Sequence, residues 1–175
     1  MRAWNLLRSI TGSFGNGNAK LRGWRRARRR LHVEALEARQ MLAILFVDDN
    51  FANPTIGQDP DGAGPATNFG TDSFATIQGA INAASASGDT VSVYAGNYPE
   101  NLVIPSKTLT LQGAQSGVDA RGRIVGSPNP ATESIVAPVA GRALELQGNP
   151  GGVIVDGFAF IGSLNGASGV IESTT

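Results

Sequence analysis

Apolar positions in this chain change their period along its length. Phe74, Ile77, Ala80, Ile81 and Ala84 form one stripe at the helical repeat, which predicts a short amphipathic helix over about residues 73–86. Ser73 or Asp72 is placed to cap it by accepting from a free amide of the first turn. The stripe dies in Ser85, Ser87 and Gly88. Beyond it the period becomes two: Val91 and Val93 alternate with Ser92 and Tyr94, and Leu109 and Leu111 with Thr108 and Thr110, while Leu102 to Ile104 forms an apolar patch between them. These runs predict strands.

The same reading extends to both sides. Ile44 to Val47 is expected as the first strand of a folded region that starts near Ile44, ended by Asp48, Asp49 and Asn50. Residues 51–71 are dense in Gly, Pro and Asn and predict a loop. Residues 116–132 predict an excursion in which Pro128 and Pro130 bar a central strand. Ile135 and Val136, Leu144 and Leu146, Val153 and Val155, then Phe158 and Phe160 resume the strands, with Gly148, Gly151, Gly152 and Gly157 at the corners.

The links constrain the architecture. Only Pro105, Ser106, Lys107 and Thr108 separate Ile104 from Leu109, and the stretch from Tyr94 to Leu102 is nearly as brief. Neither can hold a crossover helix of a dozen residues, so a doubly wound parallel sheet is excluded. A meander of hairpins or a coil turning a corner at each link remains. The recurrence of the aliphatic pair 91/93 as 109/111, 144/146 and 153/155 favours the coil, because stacked rungs need a repeated strand facing one way.

The residues FATIQGAINAA, GDTVSVYAGNYPENLVI and KTLTLQGA resemble the N-terminal cap and first coil of right-handed parallel β-helix proteins with a pectin-lyase-like fold. In that family a helix plugs the open end of the coil, and a strand ending in a small residue and Gly leads into an aromatic-containing turn. Val155, Asp156, Gly157 and Phe158 are similar to its Asp-Gly-Phe rung motif, with Asp156 as a turn residue. The resemblance implies an all-β solenoid, a right-handed parallel β-helix with an N-terminal amphipathic capping helix. Coils of about 20 residues allow about four or five rungs, and no terminal cap is recognisable near Thr175, so the chain is expected to be truncated at its C-terminal end relative to a longer protein.

Composition fits a turn-rich β protein: Gly is 23 of 175 residues, and 16% of residues are charged. Cysteine is absent, which removes disulfides, thiolate catalysis and Cys-based zinc sites. The formal net charge of zero hides a division. Residues 1–45 carry ten Lys and Arg against Glu34 and Glu37, whereas residues 46–175 carry Lys107, Arg121, Arg123 and Arg142 against twelve acids. Two segments with different roles are joined: 1–43 as a basic targeting segment, and 44–175 as the folded module.

The basic segment supplies six arginines between Arg22 and Arg30. Nucleic-acid or anionic-membrane contact is one reading of such a run. The other is a solvated arm, favoured because no aromatic-and-basic surface elsewhere supports a specific nucleic-acid role. Met41 to Val47 barely reaches the length of a secretory apolar core and is far too short to span a bilayer, which takes about 20 apolar residues, so no transmembrane helix is expected. A twin-arginine signal fits poorly, since His32 and Glu34 follow Arg29 and Arg30. Residues 31–43, LHVEALEARQMLA, are similar to the LEPR-x-LL sorting element that follows a basic arm in many planctomycete surface proteins. Leu36, Glu37, Arg39, Met41 and Leu42 occupy its positions, with Ala38 in place of Pro and Met41 in place of Leu. The resemblance implies export to the cell surface or outside, through the envelope export machinery as partner. An ordinary amphipathic helix is the plain alternative for the same residues.

Candidate chemistry is sparse. Asp48, Asp49, Asp59 and Asp61 invite a calcium reading but lack EF-hand spacing, and turns favour Asp for local hydrogen bonding. Asp119, Arg121 and Arg123 are the residues that could serve β-elimination on a uronate, and an exposed loop ion pair is the competing reading. His32, the single histidine, cannot build a Ser-His-Asp or zinc-histidine site. Gly15-Asn16-Gly17 lacks the preceding strand and the lysine context of a phosphate loop. No catalytic, cofactor or metal residue is therefore assigned, and no cofactor is expected. Two functions are carried forward: an exported β-helix module acting as scaffold or polysaccharide-binding domain, and a carbohydrate-active enzyme resembling pectate lyase or pectinesterase that acts on acidic polysaccharide.

Overall fold

A computed structural model of the chain describes residues 41–122, 128–148, 151–162 and 171–174. All belong to the unit Ala38–Thr175. The strands are β1 (Ile44–Val47), β2 (Ser73–Phe74), β3 (Ser87–Val93), β4 (Gly96–Tyr98), β5 (Leu102–Ile104), β6 (Thr108–Gln112), β7 (Ser134–Val136), β8 (Leu144–Gln147), β9 (Gly152–Asp156), β10 (Phe158–Phe160) and β11 (Ile171–Thr174). One helix, α1 (Ile77–Ala83), lies between β2 and β3.

Every strand pairing is parallel, and the strands fall into three small sheets. The first has the order β2-β1-β3-β6-β9, the second β10-β7-β4 and the third β11-β8-β5. From β3 onward, successive strands go to the three sheets in turn. Period-two alternation turns one side of each strand inward. Leu45, Val47, Val91, Val93, Leu109 and Leu111 of the first sheet are buried together with Tyr98, Leu102, Ile104, Val136 and Leu144. Ile77, Ala80 and Ile81 of α1 are fully buried in the same cluster. At about 25 cal/mol per Å² of apolar surface removed from water, this shared core is the main stabilising term.

These pairings correct the expected fold class. The structure is a set of small parallel sheets whose core is shared with a short helix, a mixed α/β-like arrangement, and not the clear all-β solenoid, a right-handed parallel β-helix, that the sequence predicts. The physical reason lies in the spacing. Val91 pairs with Leu111 after 20 residues, but Leu111 pairs with Val155 only after 44. The rows differ as well. Leu144 and Leu146 pair with Leu102 and Ile104, so the pair 144/146 belongs to a different sheet from 91/93, 109/111 and 153/155.

Local boundaries also shift. The helix is shorter than the apolar stripe because Phe74 is drawn into β2, where it pairs with Val47. Thr76, in extended conformation, is the N-cap in place of Ser73 or Asp72, and its Oγ1 accepts from the Gly79 amide at 3.2 Å. Ser87 and Gly88, read as a break, lie inside β3, whose register shifts between Ser87 and Asp89. Gly96 to Tyr98, read as a turn, is a strand paired with β7. Leu45 and Val47 sit in the core, so the apolar stretch 41–47 is structural at its C-terminal half.

Asp89 faces inward from β3 and is buried. Its Oδ1 accepts from the Ala43 amide at 2.8 Å and its Oδ2 from the Ser85 amide at 2.7 Å. Burial works to raise its pKa. The amides of Ala43 and Ser85, the Ser85 hydroxyl and the Lys107 charge outweigh it, so the carboxyl titrates below its ordinary range. A depressed carboxyl contributes stability that is present above the unfolded pKa and lost as pH falls through the folded one. Asp89→Asn should therefore destabilise the fold by roughly 1–3 kcal/mol at neutral pH, because one amide then faces a donor. Urea denaturation should show this difference shrinking as the pH drops below the ordinary aspartate pKa of 3.8. A difference constant from neutral pH to acid would refute the assignment.

Candidate functional site

Two charged side chains from neighbouring links close the ends of α1. The Glu100 carboxylate accepts from the amides of Ile77 (2.9 Å) and Gln78 (3.0 Å). Lys107 Nζ donates to the carbonyls of Ile81 (2.8 Å), Asn82 (3.2 Å) and Ala84 (2.6 Å). An anion at the N-terminus and a cation at the C-terminus match the helix dipole. The Gln78 side chain donates to the Val103 carbonyl (3.1 Å) and accepts from the Val103 amide (2.7 Å), which pairs the outer edge of β5. Asp49 does the same at β4 by accepting from the Asn97 amide at 2.9 Å. One end of the sheets is thus covered, and these polar groups serve the fold.

The residues singled out in the sequence do not converge. Arg121 donates from Nε and Nη2 to the Asp119 carboxylate two positions away, and the side chains are 92% and 59% exposed. The Arg121 hydrogen bond holds the Asp119 carboxyl below its usual range. Arg123, His32, the arginine run and Leu36, Glu37 and Arg39 of the sorting element lie outside the described residues, whereas its Met41 and Leu42 are exposed. Asp156 Oδ2 accepts from Ser116 Oγ and the Gly117 amide, both at 2.7 Å, which holds the 113–117 turn against β9. Asp48 accepts from the Asn50 amide, Asp59 from those of Asp61 and Gly62, and Asp61 from that of Ala63. These are local turn bonds. Among the described residues no group of three or more acidic, His or Cys side chains is arranged to hold a metal ion.

A surface that the sequence did not mark emerges on the outer side of the first sheet. Register places Phe46, Ser92, Gln112 and Asp156 in one row across β1, β3, β6 and β9. Ile44, Thr90, Thr110 and Ile154 form the adjacent row. Tyr94, just beyond β3, stacks on Phe46 with ring centroids 6.4 Å apart and planes 19° from parallel. Both rings are half-buried, whereas Gln112 and Ile154 are exposed. Burial, then the charges of Asp61 and Asp48, push the Tyr94 hydroxyl above its ordinary pKa. The face offers ring surface, an amide, hydroxyls and carboxylates, one side chain every ~4.8 Å across the strands.

This face was hidden from sequence reading because Phe46 and Tyr94 lie 48 residues apart and only the β1–β3 register joins them. The out-facing half of each alternation was the available signal. No family model, curated protein or solved structure matches the chain. No described helix is long and apolar enough to cross a membrane.

Proposed function

We propose that this chain is an exported surface or extracellular module that binds polysaccharide on the outer face of its five-stranded sheet. The observation that carries the reading is the stacked, solvent-facing Phe46–Tyr94 pair beside the row Ser92, Gln112 and Asp156. Sugars present a polar rim of hydroxyls and an apolar face of C–H groups, so they are recognised by an aromatic plane together with neighbouring hydrogen-bonding side chains. The sequence resemblance of residues 31–43 to a sorting element supports export. The enzyme alternative gains no support from Asp119 and Arg121, which satisfy each other on an exposed loop.

Affinity electrophoresis through gels containing soluble polysaccharides tests the binding. The chain should be retarded, and Tyr94→Ala should weaken retention about tenfold, equivalent to about 1.4 kcal/mol, with the melting temperature recorded as a folding control. Retention that Tyr94→Ala and Phe46→Ala both leave unchanged would place binding elsewhere. A reporter fused after residue 43 tests export in the native host; a reporter confined to the cytoplasm would refute that part.

A further inference from the structure

The ligand class follows from where the charges are spent. The three described cations of the folded module are all engaged. Lys107 is held on the carbonyls of α1, Arg121 is bound to Asp119 through two nitrogens, and Arg142 Nη1 lies 3.8 Å from Glu145 Oε2. None of the three belongs to the rows of the outer face. What charge that face carries is negative: Asp156 ends the Phe46 row, and Asp48, two positions past Phe46 on the same alternation, continues the face beside Tyr94, whose amide donates to the Val47 carbonyl. A polyuronate presents one carboxylate per sugar and would meet like charge with no described guanidinium or ammonium group to receive it. An uncharged glycan meets no such opposition, and Ser92, Thr90, Thr110 and Gln112 supply the hydroxyl and amide groups its hydroxyls need.

We infer that the Phe46–Tyr94 face takes an uncharged polysaccharide and excludes polyuronates. The inference rests on the proposed binding role of this face and narrows it to one ligand class.

The test compares the full chain in gels containing a neutral glucan and in gels containing polygalacturonate, each at low and at physiological ionic strength. The expected result is retention by the glucan that is insensitive to salt and falls about tenfold in Tyr94→Ala. Any retention by polygalacturonate should be salt-sensitive and unaffected by Tyr94→Ala, because the arginines between Arg22 and Arg30 would carry it. Asp48→Asn should raise Tyr94-dependent retention by polygalacturonate several-fold relative to that by glucan. Polygalacturonate retention that matches that of the glucan and is lost in Tyr94→Ala would overturn the uncharged-ligand inference while leaving the face as the binding site. Absence of Tyr94-dependent retention in either gel would overturn the binding role itself.

Discussion

Gly157→Ala should cost roughly 3–5 kcal/mol of stability and lower the melting temperature by roughly 8–15 °C. Gly157 adopts φ +81°, a left-handed conformation that costs an L-residue about 1–2 kcal/mol. The larger effect is steric. A methyl group there would lie 2.6 Å from the Gln115 carbonyl carbon and 2.7 Å from Ser116 Cα, and closer still to the Ser116 amide nitrogen. All are backbone atoms, so no side chain can rotate to make room. The contact is reciprocal, since a methyl at Gly113 would strike the Gly157 carbonyl. The Gly113 amide donates to the Asp156 carbonyl at 2.8 Å and the Gln115 amide to that of Gly157 at 3.2 Å. Relieving the clash therefore means undocking the turn from the link between β9 and β10. Gly62→Ala isolates the conformational part, because Gly62 has φ +72° with nothing within 4 Å of an added methyl. It should lose only about 1–2 kcal/mol. Chemical denaturation of the two variants checks the difference, and equal losses would remove the close approach as the cause.

Lys107→Met is the second large effect, expected at roughly 2–4 kcal/mol. A seven-residue helix is too short to persist unaided, since nucleation is costly and few internal bonds are gained. Methionine keeps the length of the side chain but leaves the carbonyls of Ile81, Asn82 and Ala84 without the ammonium donor. The Lys107 charge also favours ionised Asp89, so the loss should be coupled to that carboxylate. In a double-mutant cycle, Lys107→Met should cost less in an Asp89→Asn background than in the wild type. Additive losses would mean that the lysine acts on the helix alone. Glu100→Gln keeps an acceptor for one of the Ile77 and Gln78 amides but turns a donor toward the other, and should cost about 1–2 kcal/mol.

Much of the local structure was legible in the order of residues, because burial on one side of a strand or helix imposes a period on the apolar positions. The stripe through Ile77, Ala80 and Ile81 and the alternations in β3 and β6 follow from that rule. What could not be read was which alternation stacks on which. Leu144/Leu146 and Val153/Val155 look alike as strings, yet the first pair lies against β5 and the second against β6. Inter-strand hydrogen bonds carry no side-chain label, and unequal excursions between strands erase a constant repeat. Gly96–Tyr98 was missed because a three-residue strand is too short for its alternation to stand out from a turn. The candidate face suffered most: each side chain occupies an ordinary out-facing position, and only the register gathers them.

The way α1 is closed bears on whether the helix can stand apart from the rest of the module. Glu100 and Lys107 stand more than 20 residues beyond the groups they receive, and Gln78 likewise finds Val103 at a separation of 25. A peptide cut from 73 to 90 would carry the apolar stripe and the Thr76 cap but lack every charge that terminates the helix. Helical structure at that point of the chain therefore depends on long-range docking, and a peptide spanning 73–90 should show little helix by circular dichroism on its own.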